Sequence, residues 1–398
     1  MPRIPNQNEP TLDQLFPLAS RVLLTGTGRQ FIERIGVETA RNAVLGVLMG
    51  ENIRTQTEPL TRQRVSQISG ALVALFVQGW LQVDDFTDQL STMAVQQLST
   101  RKKADKTSVW LATWILGLTE KSVENVLRGR SSSKAEYIVD FERAIEQSAD
   151  QCRADIGDLK MTLGYAEDAQ GRRVELGWKE IIRLTTAIGC QTSTIRGSDK
   201  SMYGKLFERL VLGSLLTILG FKRVDSITNT RTEKVFWLSD SSGPRESDAT
   251  LLLRPGKLAR FDIGFIGRGN PEISKDKLTR YAREAEAAGA IHSSVTFIVV
   301  DRLPETSKTK AMADNIEAEI IQMSMQYWPR DLARRLEQRL GFRHELQSLS
   351  DDQIEPYLRT ALAAIPIEDF LSSASIAQLS EEGSQEAGQT GSAVENDE

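Results

Sequence analysis

The stretch "SDATLLLRPGKLARFDIGFIG" (residues 247–267) decides the fold, because it reads as two short apolar strands joined by a turn. Each strand carries one carboxylate, Asp248 at the start of the first and Asp262 inside the second. A charged side chain rarely stays in a buried strand unless it is paired or binds a metal. We therefore expect both aspartates to belong to a functional site.

The two carboxylates repel each other unless a divalent cation lies between them. Oxygen ligands without histidine or cysteine favour Mg²⁺ or Mn²⁺. With only Cys152, Cys190 and two histidines, the chain is a poor candidate for a zinc site. Antiparallel pairing is expected to hold the start of one strand away from the end of the next. Asp262 would then need a bend toward the middle of the sheet to reach Asp248.

The sequence after residue 200 predicts an α/β unit in which helices flank one mixed sheet. The apolar segment "SMYGKLFERLVLGSLLTILGF" (201–221) predicts a helix that Gly220 ends. Further strands are predicted at 233–239 and 294–300, and further helices at 274–289, 308–324 and 327–342.

The order helix glutamate, strand aspartate, strand aspartate and helix resembles the PD-(D/E)XK phosphodiesterase superfamily. Within it, "YGKLFERLVLGSLLTILGF" (203–221), "ESDATLLL" (246–253) and "RFDIGFIGRGNPEISKDKLTRY" (260–281) are most similar to the CfrBI-type restriction endonucleases. The resemblance covers residues 195–330. It implies that Asp248 and Asp262 bind Mg²⁺ and that Glu208 supports the metal site. Glu272, just before the next predicted helix, is either an additional metal ligand or a favourable charge at the helix dipole.

The sequence departs from the family pattern at two positions. Ser247 replaces the proline before the first aspartate, and Gly264 replaces the lysine of the (D/E)XK motif. That lysine holds the attacking water and balances charge in the transition state. "KLTRY" (277–281) is similar to a helix motif of other branches, which makes Lys277 the preferred replacement. Lys275 is the alternative, because two residues about 200° apart on a helix cannot both point inward.

The first half of the chain shows helical periodicity, whereas strand-like runs appear after residue 200. The predicted domain boundaries follow from this change. We expect a helical domain for DNA recognition or dimerisation over 1–195 and a nuclease core over 196–345. A helical extension over 346–370 and a disordered acidic tail over 371–398 complete the chain. The polar stretch "TSTIRGSDKS" (192–201) is the candidate domain boundary.

A basic segment lies within the helical half, with eight Lys or Arg against three acidic residues over 101–134. It reads as a helix, a turn at Gly117 and a second helix with Thr119 as its N-cap. This is either a DNA-reading helix-turn-helix or an ordinary helical hairpin with a solvated basic face. The candidate DNA-binding residues are Lys102, Lys103, Lys106, Lys121, Arg128, Arg130, Arg196 and Lys200.

Arginines and aromatics near the end of the core allow two interpretations. Tyr327 and Trp328 lie beside a proline, where aromatics usually serve packing. A solvated basic helix is the default interpretation of the arginines that follow, although contacts to phosphate or guanine are possible. These arginines are Arg334, Arg335, Arg339 and Arg343.

Composition favours a cytoplasmic protein. No stretch approaches the about 20 apolar residues of a membrane span, and the start of the sequence lacks secretory-signal features. The formal charge is −5, but residues 381–398 hold six acidic residues and no basic one, so the rest carries +1.

The leading hypothesis is a Mg²⁺-dependent type II restriction endonuclease that cleaves double-stranded DNA at a short palindromic site and leaves 5′-phosphate ends. Its implied partners are a second copy in a homodimer and, functionally, a cognate DNA methyltransferase. The alternative is a non-catalytic DNA-binding or regulatory protein with a degenerate nuclease core, favoured by Gly264. A structure-specific or damage-specific nuclease of the same fold is the third hypothesis.

Overall fold

The computed structural model describes residues 10–100, 105–119, 131–157, 165–167, 171, 173–225, 233–239, 247–265, 294–301 and 318–380. The chain divides into two compact units. The first comprises Met1–Gly26 and Thr61–Asp199, and the second comprises Thr27–Leu60 and Lys200–Glu398.

The described α-helices are α1 (Leu12–Leu15), α2 (Val22–Thr25), α3 (Gly28–Ile35), α4 (Val37–Leu48), α5 (Ile53–Gln82), α6 (Phe86–Thr100), α7 (Lys106–Ile115), α8 (Ser131–Ile156), α9 (Trp178–Ile218), α10 (Trp328–Leu340) and α11 (Asp351–Ala363). In the described parts of the chain, no helix combines the length and apolar character needed to cross a membrane.

The described strands are β1 (Tyr165–Glu167), β2 (Arg173–Glu175), β3 (Lys222–Arg223), β4 (Val235–Leu238), β5 (Ala249–Arg254), β6 (Lys257–Gly264), β7 (Ser294–Val300) and β8 (Glu319–Gln322). Strands β3 to β8 form one six-stranded sheet in chain order. The pairs β4–β5 and β5–β6 are antiparallel, whereas β3–β4, β6–β7 and β7–β8 are parallel. The predicted mixed sheet is therefore present.

The sheet core lies along β6 and β7. On one face Phe261 stacks on Phe297 with ring centroids 5.1 Å apart, and Ile263 and Val299 are fully buried. Strand β7 also buries Ile298 and Val300 on the other face, which explains the continuous apolar run "SVTFIVV". Strand β6 instead alternates, with Arg260 exposed on its second face.

The first unit is not all-α, because β1 and β2 pair as a small antiparallel hairpin. Its three-residue strands lack a long apolar run, so periodicity did not predict them. The division between the two units falls between Asp199 and Lys200, inside the predicted boundary stretch 192–201, but the chain there is the continuous helix α9 and not a loop.

Two predictions about the second unit are wrong. Glu319–Gln322, predicted as part of a helix over 308–324, forms the strand β8. Pairing with β7 decides its conformation, and such tertiary context overrides local propensity. The predicted disordered tail also begins too early, because residues 376–380 are helical and bury Ile376 and Leu379. Residues 381–398 lie outside the described residues.

Candidate active site

Asp248 directly precedes β5, and Asp262 lies inside the antiparallel neighbour β6. Ala249 pairs with Phe261, and one further step of this register places Asp248 against Asp262. Directly opposed residues have Cβ atoms about 4.5–5.5 Å apart. The expected bend is therefore unnecessary: in an antiparallel hairpin the start of the first strand meets the end of the second. The register itself forms the carboxylate pair.

The environments of the two carboxylates differ. Asp262 is 1% exposed, whereas Asp248 is half-buried at the strand start. The backbone N–H of Ile263 donates to Asp248 Oδ2 over 2.8 Å. The N–H of Ser239, which follows β4, donates to the Asp248 carbonyl over 3.2 Å. Backbone groups of two neighbouring strands thus fix Asp248 and its carboxylate.

Ser247, at the position of the family's proline, stabilises the start of β5. Its hydroxyl lies 3.0 Å from Thr250 Oγ1, and its carbonyl accepts a hydrogen bond from the Ser239 hydroxyl. These bonds link the start of β5 to the end of β4. With serine in place of proline, hydrogen bonds therefore still hold the start of β5 in place.

Glu208 lies on α9. The next residue, Arg209, links that helix by a hydrogen bond to Ser239, which directly follows β4. Arg209 Nε donates to the Phe370 carbonyl over 2.8 Å, and its Nη1 donates to the Ser239 carbonyl. Glu208 pairs with Lys205 at 3.5 Å and its side chain is 15% exposed. Within the described ranges, no group of three His, Cys, Asp or Glu side chains is arranged to hold a metal ion. The structure thus does not assemble Glu208 and the two aspartates into a three-ligand cluster.

The carboxyl ends of three parallel strands meet at the same edge of the sheet as this pair. Gly264 pairs with Val300, and Val300 pairs with Gln322. Asp301 follows β7 directly, and the Asn52 amide donates to its carboxylate over 3.4 Å. Sequence reasoning missed Asp301, although an aspartate that ends the apolar run "SVTFIVV" was a usable signal.

Gly264, at the motif-lysine position, is the buried last residue of β6 and contributes no side chain. Lys275, Lys277 and Glu272 lie outside the described residues. Their predicted roles remain predictions.

Three of the eight predicted DNA-binding residues lie on described helices. Lys106 is half-buried in the first turn of α7, Arg196 is exposed on α9, and Lys200 also lies on α9. Helix α7, the first helix of the predicted pair, is buried from Thr107 to Ile115. The second helix, which would read DNA in a helix-turn-helix, lies outside the described residues, so both interpretations remain predictions. The other predicted residues, Lys102, Lys103, Lys121, Arg128 and Arg130, lie outside the described residues.

The carboxylate oxygens of Asp248 and Asp262 are ligands of the kind that Mg²⁺ prefers. This ion usually retains several waters and is held by one or two carboxylates together with substrate phosphate oxygens. Asp248 and Asp262 provide hard oxygen donors on rigid strands, and Asp248 already accepts one backbone hydrogen bond. The remaining ligands of the ion would be waters and substrate phosphate oxygens.

Comparisons with known proteins place the chain in a family. The sequence profile of the CfrBI restriction endonuclease family matches residues 37–308. The chain is 32% identical over 362 residues to the type II restriction enzyme CfrBI of Citrobacter freundii, covering 89% of this chain and 97% of that enzyme. No solved structure matches the chain. The chain belongs to the CfrBI restriction endonuclease family and is, in class, a type II site-specific deoxyribonuclease.

Proposed function

We propose that this protein is a Mg²⁺-dependent restriction endonuclease of the PD-(D/E)XK type. It would hydrolyse double-stranded DNA at a short palindromic site and leave 5′-phosphate ends. The observation that carries the proposal is the register that opposes Asp248 and Asp262 at a sheet edge. Family membership supports DNA as the substrate, and we propose that it binds at that edge.

Each residue of the proposed site has a distinct task. Asp248 and Asp262 would hold Mg²⁺, which polarises the scissile phosphate and lowers the pKa of bound water. Lys277, or Lys275 instead, would hold the attacking water in line and balance negative charge on the phosphorus. Glu208 would support the site from α9, and Glu272 would add a further oxygen ligand.

The proposed assembly is a homodimer, because a palindromic site is matched by two-fold protein symmetry. The basic residues over 101–134, with Arg196 and Lys200, would contact DNA phosphates and add a salt-dependent contribution to binding. A cognate methyltransferase would protect the host's own copies of the site.

Plasmid cleavage tests the proposal directly. The wild-type protein with Mg²⁺ is expected to give discrete fragments whose sequenced ends share one short motif. EDTA or Asp262→Asn is expected to abolish these fragments. Asp225→Asn is the matched control, because this aspartate is 91% exposed and, in the described structure, pairs only with Arg223, two residues earlier, at 3.2 Å.

The alternative functions give different results in the same experiment. DNA binding without cleavage under any metal condition would support the degenerate, regulatory protein. Fragment ends without a recurring motif would support a structure- or damage-specific nuclease.

The lysine assignment has its own test. Lys277→Ala is expected to abolish cleavage and leave DNA binding nearly intact, whereas Lys275→Ala retains most activity. Full activity in Lys277→Ala would transfer the role to Lys275.

A further inference from the structure

A cavity of about 360 Å³ opens beside the end of β8 and the start of α10. Its lining includes Ile320 and Gln322 of β8 together with Met325, Tyr327 and Arg334. The predicted roles of the catalytic residues do not involve this cavity. Its position and its side chains both point to the DNA substrate.

The cavity lies on the face of the sheet that carries Asp262. Asp262 pairs with Ile298, and Ile298 pairs with Ile320, so the three residues form one row across β6, β7 and β8. Residues in one such row point to the same face. Neighbouring strands are about 4.8 Å apart, which places Ile320 about 10 Å from Asp262 along the row. This distance corresponds to about three base steps of 3.4 Å along DNA.

Tyr327 presents an aromatic ring at the cavity. Its backbone is left-handed, with φ 66° and ψ 24°, a conformation that non-glycine residues rarely adopt and that clusters at ligand sites. The guanidinium of Arg330 lies 5.1 Å from the centre of its ring. The next residue anchors the turn, because the Trp328 indole donates to the Val47 carbonyl over 2.8 Å. Trp328 is thus a packing residue, as the default interpretation predicted.

Met325 adds exposed apolar surface beside this ring. Its side chain is 61% exposed in a cavity that is otherwise rich in polar groups. Gln326, also exposed, adds an amide that can donate to and accept from a base edge. Aromatic and amide groups of this kind stack on bases and read their edges.

The arginines at the cavity differ in their partners. Arg335 bonds Glu319 over 2.6 Å and Asp331 over 3.0 Å, and Arg330 bonds Asp351 over 2.7 Å. Arg334 is exposed and donates to the Gln347 carbonyl over 3.3 Å. Across the described ranges, no acidic side chain pairs with Arg334. It is therefore the cavity's cation for a phosphate, while its neighbours maintain the fold.

We propose that this cavity binds a nucleotide of the substrate DNA about three base steps from the cleaved phosphate. Arg334 contacts a backbone phosphate, the ring of Tyr327 and the side chain of Met325 pack against sugar or base, and Gln326 reads a base edge. The proposal rests on the proposed endonuclease function and adds a specificity-determining contact to it.

Protection of Met325 from oxidation tests the contact without altering the cavity. The Asp262→Asn protein is saturated with a duplex that contains its site, as shown by fluorescence anisotropy, and is then treated with peroxide. Oxidation of Met325, followed by mass spectrometry, is expected to slow at least about fivefold when DNA is bound. Met323, 2% exposed, is the buried reference. An unchanged rate at Met325 in the saturated complex would overturn the proposal.

Substitutions test the roles of the individual side chains. Arg334→Ala is expected to weaken binding of every duplex about threefold to tenfold. The slope of log affinity against log salt concentration is expected to fall by about one, because one fewer counterion is released. Arg359→Ala is its control, since Arg359 is 58% exposed and lies outside the cavity lining. Gln326→Ala is expected to lose about tenfold preference at one base position, measured by competitive cleavage of single-substituted duplexes. Gln338→Ala, on the exposed side of α10, is its control.

Tyr327→Gly removes the ring and preserves the left-handed backbone, because glycine adopts positive φ without strain. It is expected to reduce the affinity for cognate DNA about tenfold at unchanged thermal stability. Wild-type protein that cuts no DNA would contradict the endonuclease function. Normal wild-type cleavage, with Arg334→Ala and Gln326→Ala matching their controls and Tyr327→Gly matching the wild type, would contradict the cavity proposal alone.

Discussion

The hydrogen bond from the Ile263 N–H to Asp248 Oδ2 gives one carboxylate of the pair a structural task besides its proposed metal binding. Asparagine at position 248 keeps an oxygen for this bond and loses only the charge. Alanine loses both the charge and the acceptor. The two substitutions can therefore separate the two tasks.

We expect Asp248→Asn to lower the cleavage rate at least about 100-fold, because the site loses a charged ligand. Its melting temperature is expected to stay near that of the wild type. Asp248→Ala is expected to be equally inactive and additionally to lose about 1–2 kcal/mol of stability, since a buried N–H loses its acceptor. Calorimetry and plasmid cleavage measure both effects. Equal melting temperatures of the two variants would contradict the structural task.

Glu319 provides a residue-scale test of pH dependence. Burial tends to raise its pKa, but hydrogen bonds and charge from Arg339 and Arg335 outweigh burial and lower the pKa below its ordinary value. A carboxylate with a lowered folded-state pKa stabilises the fold above its unfolded pKa, and that stability is lost as pH falls through the folded pKa.

Glu319→Gln is expected to lower the free energy of unfolding by about 1 kcal/mol at pH 7. The difference from wild type should begin to shrink as pH falls below about 4.3 and vanish below the folded-state pKa. Urea unfolding across pH measures it. Glu355→Gln is the matched control, because its pair with Arg359 is 52% and 58% exposed. A difference that stays constant down to acidic pH would contradict the assignment.

At the scale of elements, helix α9 offers two glycines with opposite surroundings. A Cβ at Gly213 would lie 2.5 Å from Phe370 Cγ, whereas a Cβ at Gly204 would meet no atom within 4 Å. Gly213→Ala is expected to destabilise by about 1–3 kcal/mol through overpacking. Gly204→Ala should stabilise by about 0.5–1 kcal/mol, because alanine favours the helix. Thermal unfolding of both variants measures the contrast, and a stabilising Gly213→Ala would refute this packing.

The sequence predicted the strands of the sheet core because their apolar runs are local signals. At residues 192–201 the polar residues correctly indicated where the two units divide, but they also suggested a break in the chain where α9 is one continuous helix. Asp199 in that stretch is 3% exposed and forms a buried ion pair with Arg64. A residue more than a hundred positions away in sequence satisfies that charge, which local patterning cannot reveal. Strand β8 was predicted as helix for a similar reason, because its four residues take their conformation from pairing with β7.

At the scale of the whole molecule, the proposed homodimer is expected to cut both DNA strands in one coupled event. Mixing wild-type protein with an excess of Asp262→Asn, after dissociation and reassociation, should give heterodimers with one intact site. These are expected to nick plasmid DNA at the recognition site instead of cutting both strands. Agarose gels resolve the nicked form, and light scattering reports the oligomeric state. Double-strand cutting that falls only in proportion to dilution would favour a monomeric enzyme.

The candidate site was predictable in part from sequence. Asp248 and Asp262 stood out as charges in apolar strands, and only the observed register shows that they oppose each other. Asp301 and the cavity at Tyr327 lie near the two aspartates because β7 and β8 end at the same edge of the sheet as β6. That proximity is a property of parallel pairing and has no counterpart in sequence spacing.

The second unit contains two separated chain segments, and this sets an order of events during protein synthesis. Arg41 in the early segment donates to the Ile365 carbonyl over 2.7 Å, and the Val47 carbonyl accepts from Trp328. The early segment therefore waits for partners made about 300 residues later, about 15–60 seconds at ordinary translation rates. The sheet edge proposed to cut DNA also lacks β8 until residue 322 has been made, so nascent chains that stop before β8 are expected to be inactive.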